Sequence, residues 1–248
     1  MSEYVHGYRD RENARLEDQA GTLVDLLHEG TTCPAGSRVL EAGCGVGAQT
    51  VMLAQRSPQA RFTSIDISGA SIAAAREKVR QAGLTNIDFH QADIFRPPFA
   101  TRTFDHVFVC FVLEHLPRPV EALSLLHGLL KPGGTITVIE GDHGSTFFHP
   151  DNGDARAAIA CQIALQERAG GNALIGTELY PLLKAANFAD VRVSPRMVYV
   201  DASRPSLVEG FTRKTFTAMI EGVRDPAIAQ GLIGAARFDA GIRARDLH

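Results

Sequence analysis

The sequence predicts an α/β fold: a doubly wound, mostly parallel sheet with helices on both faces, a helical insertion after the fifth strand and a helical C-terminus. Three observations predict it. Between Ser37 and Glu140, short apolar runs alternate with helical stretches, the pattern of parallel strands joined by crossover helices. The first of those runs ends in a glycine-rich turn that leads directly into a helix. The chain has 248 residues, 45% of them apolar and 21% charged, so it can bury a sizeable core without disulfides.

Residues 10–29 predict a first helix, with Leu16, Ala20, Leu23, Val24 and Leu27 on one face. Gly30 and the Pro34–Gly36 break end it. Arg38–Ala42 is the first strand and Ala48–Arg56 the first crossover helix. Arg61–Ile65 is the second strand. Ser68–Ala82 is a helix with Ile72, Ala75 and Val79 inward and Gly83 at its end. Asn86–His90 and Phe104–Cys110 are the third and fourth strands. Pro119 can open the next helix at its first position, and Val120, Leu123, Leu126 and Leu130 give it an apolar stripe. Lys131-Pro-Gly-Gly134 stops that helix, and Thr135–Ile139 is the fifth strand. Residues 141–176 are a substrate-side insertion with a helix over about 154–169. Thr177–Ala186 is another helix, Val191–Val200 a sixth strand, and the rest to the end is helical.

The net charge is −3, from 25 basic and 28 acidic residues, which excludes the strong field expected of a nucleic-acid or anionic-membrane binder. The longest apolar run, Val107–Leu113, is too short to span a bilayer. The N-terminus has no signal pattern, so the expected location is cytoplasmic. The cysteines, Cys33, Cys44, Cys110 and Cys161, form no C-x-x-C pair and predict neither a zinc site nor a disulfide framework.

On such sheets ligands sit beyond the carboxyl ends of the strands. The first strand runs into Glu41-Ala-Gly43-Cys-Gly45-Val-Gly47-Ala48. Its glycines let the chain turn tightly and let a ligand approach the backbone, and the next helix aims its N-terminal N–H groups there. Asp66 ends the second strand, where a carboxylate can take both hydroxyls of a ribose; it also suits a helix N-cap shared with Ser68. After the third strand, Asp93 can accept from the exocyclic amine of a purine between Ile67 and Ile94, or stand as a solvated loop carboxylate. The fourth strand leaves through Cys110-Phe-Val-Leu-Glu114-His115-Leu116, too apolar for a surface loop. His115 there reads either as a buried histidine with a backbone partner or as a substrate group.

These spacings together resemble the class I S-adenosylmethionine-dependent methyltransferases of the small-molecule type. The resemblance rests on the glycine turn after Glu41, on Asp66 and Asp93, on Phe104-Asp105 running into Leu113-Glu-His-Leu116, and on Lys131-Pro-Gly-Gly134. It covers about residues 37–140 and extends loosely over residues 4–20, where Tyr8, Arg11-Glu-Asn13 and Gln19 look like a mobile N-terminal lid. It implies a Rossmann-like fold, S-adenosyl-L-methionine as the cofactor and a small-molecule acceptor. It implies that Glu41 orients the turn and the methionine amine, and that Gly43 and Gly45 underlie the methionine and ribose. Asp66 would hold the ribose, Ile67 and Ile94 would flank the adenine, and Asp93 would take its amine. The Cys110 carbonyl would accept from the methionine ammonium, and Tyr8 or Gln19 would close over the carboxylate.

The expected organisation is therefore one methyltransferase domain over 1–248: a helical lid at 1–36, the cofactor-binding core at 37–140, the insertion at 141–176 and a C-terminal part at 177–248. The family's sheet usually ends with an antiparallel strand, and no candidate follows Val200. Either the chain stops before that strand, or residues 191–200 split in two at Pro195. Ser-Pro-Arg makes a poor hairpin turn, which favours a six-stranded sheet with a bare edge.

Methyl transfer needs alignment in a dry pocket, and a base only where the nucleophile arrives protonated. His143 leaves the fifth strand on the substrate side and suits a base, with Glu140 or Asp142 to orient it. His115 competes for that role, and His149 could line the same pocket. Phe147, Phe148, Ile159, Ile163, Leu165, Met197 and Tyr199 could make an apolar lid over an apolar or aromatic acceptor. Phe211, Phe216 and Met219 could join the lid or pack a homodimer. A non-catalytic cofactor binder and an NAD-dependent oxidoreductase are the rival readings.

Overall fold

The computed structural model describes residues 23–244. Tyr8, Gln19 and most of the first expected helix lie outside the described residues; Val24–Leu27, α1, belongs to its end. The sheet comprises β1 (Arg38–Ala42), β2 (Arg61–Asp66), β3 (Ile87–Gln91), β4 (Phe104–Cys110) and β5 (Leu130–Ile139). All neighbours are parallel, in the order β3-β2-β1-β4-β5. The chain winds outward from β1 through β2 to β3, then crosses back to β4 and β5. The order therefore switches between β1 and β4, and the crevice beyond their carboxyl ends is where this topology places a ligand.

Helices α2 (Ala48–Arg56), α3 (Gly69–Gln81) and α4 (Pro119–Leu129) are the crossovers. Ser68 caps α3 by accepting from the Ser71 N–H at 3.2 Å, and Ile72, Ala75 and Val79 face inward as their spacing requires. Pro119 stands in the first turn of α4, where its missing N–H costs nothing. The fifth strand begins earlier than its sequence suggests. Leu130 pairs with Phe104, residues 131–134 loop out, and Thr135 rejoins opposite His106. The Lys131 ammonium holds that loop on the Asp105 carboxylate at 2.8 and 2.9 Å.

Beyond the sheet come α5 (Gly153–Arg168), a 3-10 turn at Ile175–Glu178 and α6 (Leu179–Ala185). Asn152 caps α5, its Oδ1 accepting from Asp154 and Ala155 at 3.0 and 2.9 Å. The C-terminal part is helical in pieces. Pro205–Leu207 (α7) passes through a π-helical stretch, Val208–Thr217, into Ala218–Gly222 (α8), followed by α9 (Arg224–Ala229) and α10 (Ala235–Arg243). Two large cores result. One lies between the sheet, α4 and α6 and includes Leu40, Phe104, Leu123 and Ile175. The other lies between α5 and the C-terminal helices and includes Ile159, Phe216, Ile220 and Phe238. No described helix is long and apolar enough to cross a membrane.

Two expectations need correction. Residues 191–200 form no strand, and the sheet has five strands among the described residues. An alternating apolar run becomes a strand only where a neighbour offers a ladder. Here Pro195 has no N–H to give, and Arg196 turns the segment elsewhere. Its guanidinium donates to the carbonyls of Leu26, Leu27 and Glu29 at 2.6, 2.8 and 3.1 Å, pinning the segment to the end of α1. The apolar lid also divides. Phe147, Met197 and Tyr199 are 80%, 77% and 59% exposed, whereas Ile159, Leu165, Phe216 and Met219 are buried in the second core. His149 is exposed and lines no buried pocket.

Candidate active site

The turn after β1 is held from behind by β2. Gly43 and Cys44 donate their N–H groups to the Ile65 carbonyl at 2.8 and 2.9 Å. Gly43, Gly45 and Gly47 all have positive φ, at 82°, 51° and 79°, a region that side-chain-bearing residues rarely adopt. Their surroundings differ. A Cβ on Gly43 would strike the Val112 side chain at 2.4 Å, and one on Gly47 would strike Ala75 at 2.9 Å, but a Cβ on Gly45 meets nothing within 4 Å. The turn is closed against the protein at both ends and open in the middle, so a ligand can lie against the main chain at Gly45.

Asp66 stands beside that opening. Its Oδ2 accepts from the Gly45 N–H at 2.8 Å and its Oδ1 from the Ser68 N–H at 2.9 Å. Ser68 is the N-cap of α3, and the Asp66 carboxylate braces both the entry to α3 and the glycine turn. Each oxygen keeps a further acceptor site for a hydroxyl. Burial raises the Asp66 pKa, opposed by the backbone donors of Ser68, Gly45 and Ile67. Glu41 lies deeper, 2% exposed, and its Oε2 accepts from Ser64 and Thr50 hydroxyls at 2.6 and 2.7 Å. It ties β1 to β2 and to the first turn of α2, and burial pushes its pKa up to about 7. Asp93 accepts from the Phe95 N–H at 2.9 Å. Ile67 is 51% exposed and available to a flat ligand, whereas Ile94 is 8% exposed and belongs to the main core.

Across β1 from Asp66, β4 ends at Cys110. Phe111 follows with φ 55°, a conformation rare for a bulky residue, and its N–H still donates to Ile139 at 2.9 Å. This turn feeds a 3-10 turn, Leu113–His115, which is held by Glu140 at the end of β5. The Glu140 Oε1 accepts from the N–H groups of Val112 and Leu113 at 3.0 and 2.8 Å. Burial, then the charge of Glu114, pushes the Glu140 carboxyl up to about 8, and its Oε2 is buried with no partner among the described residues. Glu140 is therefore a neutral clamp on the turn at ordinary pH.

Glu114 is the centre of the cluster, and the sequence reading gave it no role of its own. Its side chain is 10% exposed; Oε2 lies 3.6 Å from His143 Nε2 and Oε1 lies 3.5 Å from His115 Nε2. The structure thus brings together both histidines singled out as candidate bases, on opposite oxygens of one carboxylate. Burial opposes the charge of Glu114, but His115, His143 and the Gln166 amide outweigh it and hold its pKa down to about 2. His143 is fixed by its own N–H to the Ala173 carbonyl at 3.0 Å and stacks on the Phe216 ring at 6.0 Å between centroids. The signal that could have found Glu114 was its apolar frame, since Leu113 and Leu116 leave a carboxylate between them little access to water.

Comparisons with known proteins follow the same lines. The profile of a family described as methyltransferase domain matches residues 39–134. Demethylmenaquinone methyltransferase of Listeria welshimeri is 31% identical over 106 residues, 42% of this chain and 45% of that protein. The chain thus spans less than half the length of that curated relative. Phosphoethanolamine N-methyltransferase 2 of Haemonchus contortus, solved in complex with S-adenosyl-L-methionine, superposes with a TM-score of 0.58 at 18% identity, over 92% of this chain and 47% of that one. The cyclase SpnF superposes with a TM-score of 0.57 at 24% identity, over 92% of this chain and 76% of that one. At these identities the two structures speak for the fold alone.

Proposed function

We propose that the chain, whose residues 39–134 match a methyltransferase-domain profile on a parallel sheet of order β3-β2-β1-β4-β5, is a class I S-adenosylmethionine-dependent methyltransferase that methylates a small, apolar or aromatic acceptor whose nucleophile arrives protonated. When bound, the cofactor supplies the methyl group on a sulfonium, already a good leaving group. The chain supplies position and a place for the proton. The turn at Gly45 leaves room for the nucleoside and Asp66 offers acceptors to its ribose. Ile67 and Asp93 are the residues we assign to the adenine, Glu41 and the Cys110 carbonyl to the methionine amine. His143 takes the acceptor's proton, and the ionised Glu114 stabilises the imidazolium that results. His115 backs the same carboxylate from its other oxygen, and Glu140 keeps the turn that carries both in place.

The single observation that carries this reading is the His143 Nε2 standing 3.6 Å from a buried carboxylate, across β1 from Asp66. The ring of Phe216 against His143 supports an aromatic or apolar acceptor. The likeness to a cyclase shows that this fold does not carry methyl transfer by itself, so the test must separate binding from turnover. Calorimetry should show S-adenosylhomocysteine binding and no NAD binding. Labelled methyl transfer over a panel of phenols, amines and apolar alcohols should give a product. Asp66→Ala should weaken S-adenosylhomocysteine by about 10- to 100-fold, the worth of hydrogen bonds to a charged group. His143→Ala should keep that affinity and lose about 10²- to 10⁴-fold in turnover. Full turnover in His143→Ala removes the base; binding without any turnover favours the non-catalytic rival.

A further inference from the structure

The helix α5 is buried on the side that faces the site, and two of its buried side chains are amides. Gln162 and Gln166 are 0% and 1% exposed on a helix otherwise packed through alanine, isoleucine, cysteine and leucine. They form a directed chain. The Gln162 Nε2 donates to Gln166 Oε1 at 2.6 Å, and the Gln166 Nε2 donates to both the backbone oxygen and the Oε2 of Glu114, at 3.0 and 3.1 Å. Gln166 therefore spends its whole donor capacity on one residue. The Glu114 Oε2 it reaches is the oxygen that faces His143. The backbone oxygen is held a second time, by the Asn172 N–H at 2.7 Å.

A core selected for packing alone would not keep this pair. Apolar side chains of the same volume would fill the space, and the Gln162 Oε1 is buried with no donor among the described residues. A buried acceptor left without a donor is costly and needs a reason. The reason offered by the geometry is Glu114. A carboxylate on a three-residue turn has few rotamer constraints of its own, and its ionised form needs a donor in a place that excludes water.

We propose that Gln166, backed by Gln162, is a positioning residue of the methyl-transfer site, tying the insertion helix to Glu114 and holding its carboxylate toward His143. The proposal rests on the reading of Glu114 and His143 given above. It makes the insertion part of the proton-handling machinery.

The test uses the full chain with Gln166→Leu and Gln166→Glu, S-adenosylhomocysteine as the binding probe and labelled methyl transfer as the activity. Gln166→Leu should bind S-adenosylhomocysteine within about twofold of wild type while kcat falls about 10- to 100-fold, the scale of a displaced catalytic group, with KM for the cofactor unchanged. Gln166→Glu is the discriminating variant. With two carboxyls sharing a proton, the new side chain can again donate to Glu114 as the pH falls, so its kcat relative to wild type should recover toward pH 6 from a minimum near pH 8, whereas Gln166→Leu should stay flat. Wild-type kcat in Gln166→Leu, or the same flat ratio in both variants, overturns the proposal and leaves the reading of the site standing. A wild-type chain that binds S-adenosylhomocysteine and methylates nothing removes that reading, and this proposal with it. If Gln166→Leu fails to fold, the pH dependence of Gln166→Glu decides alone.

Discussion

Glu114 and Glu140 sit in one buried cluster and are pushed in opposite directions, which gives the pair opposite signatures in stability. The Glu140 carboxyl, raised from 4.5 to about 8 by burial and by Glu114, stays protonated in the fold at pH values where the unfolded chain releases its proton. Its contribution is whole below the unfolded value and falls as the pH climbs toward 8, because the unfolded state then binds fewer protons than the native one. Glu114, held down to about 2 against an ordinary 4.5, contributes stability above its unfolded value and loses it as the pH falls. Glu41, raised to about 7, declines with pH in the same sense as Glu140, so a melting curve of the wild type alone does not separate them. Glu140→Gln does. The amide keeps an acceptor for the Val112 and Leu113 N–H groups and is neutral at every pH. The melting temperature of Glu140→Gln relative to wild type should therefore rise between about pH 5 and pH 8. A difference that is flat with pH would mean that Glu140 is ionised in the fold.

The glycine turn shows most directly how an element sets a site, because each glycine answers to a different neighbour. Gly47 combines φ 79° with a position where an added Cβ would lie 2.9 Å from the Cα and Cβ of Ala75 on α3. Gly47→Ala should therefore strain the backbone and push α2 from α3, costing about 1–3 kcal/mol and several degrees of melting temperature in a chain this size. It should also weaken S-adenosylhomocysteine, since the turn moves with the helix; an unchanged melt would show that α3 yields. This part of the site was legible in the sequence for the same physical reasons: glycine marks a left-handed turn wherever it stands, and five strands of β-branched and aromatic residues end in sharp breaks. That Asp66 closes β2 and Asp93 follows β3 was legible because a strand's end is a fixed place in this fold. The segment 191–200 was not, since its alternation specifies a strand only when a partner edge is present, and Arg196 answers to carbonyls about 170 positions away. Glu114 was hidden likewise. Its apolar frame announces burial, but its determining partners, His143 and Gln166, the latter 52 positions on, are contacts that only tertiary packing creates.

At the scale of the whole molecule the two halves of the proposed site belong to different cores. The turn and Asp66 rest on the sheet, whereas the wall behind Glu114 and His143 rests on α5, which packs on α10 so closely that a Cβ on Gly241 would lie 2.4 Å from the Asp154 carbonyl. Phe238 of α10 is fully buried in that second core, with Ile159 and Ile220. Phe238→Ala should cost about 3–5 kcal/mol by the loss of buried area and the cavity left behind. The loss should be felt unevenly, because none of the residues that shape the turn at Gly45 belongs to that core. S-adenosylhomocysteine affinity at a temperature below the melt should change little. Methyl transfer should fall at least as far as in Gln166→Leu, and amide hydrogen exchange should quicken through α5 and α10 before it does in β1 and β4. Equal losses of affinity and turnover, with exchange rising evenly over the sheet, would show instead that the two cores unfold as one and that the acceptor side has no independent movement with which to admit its substrate.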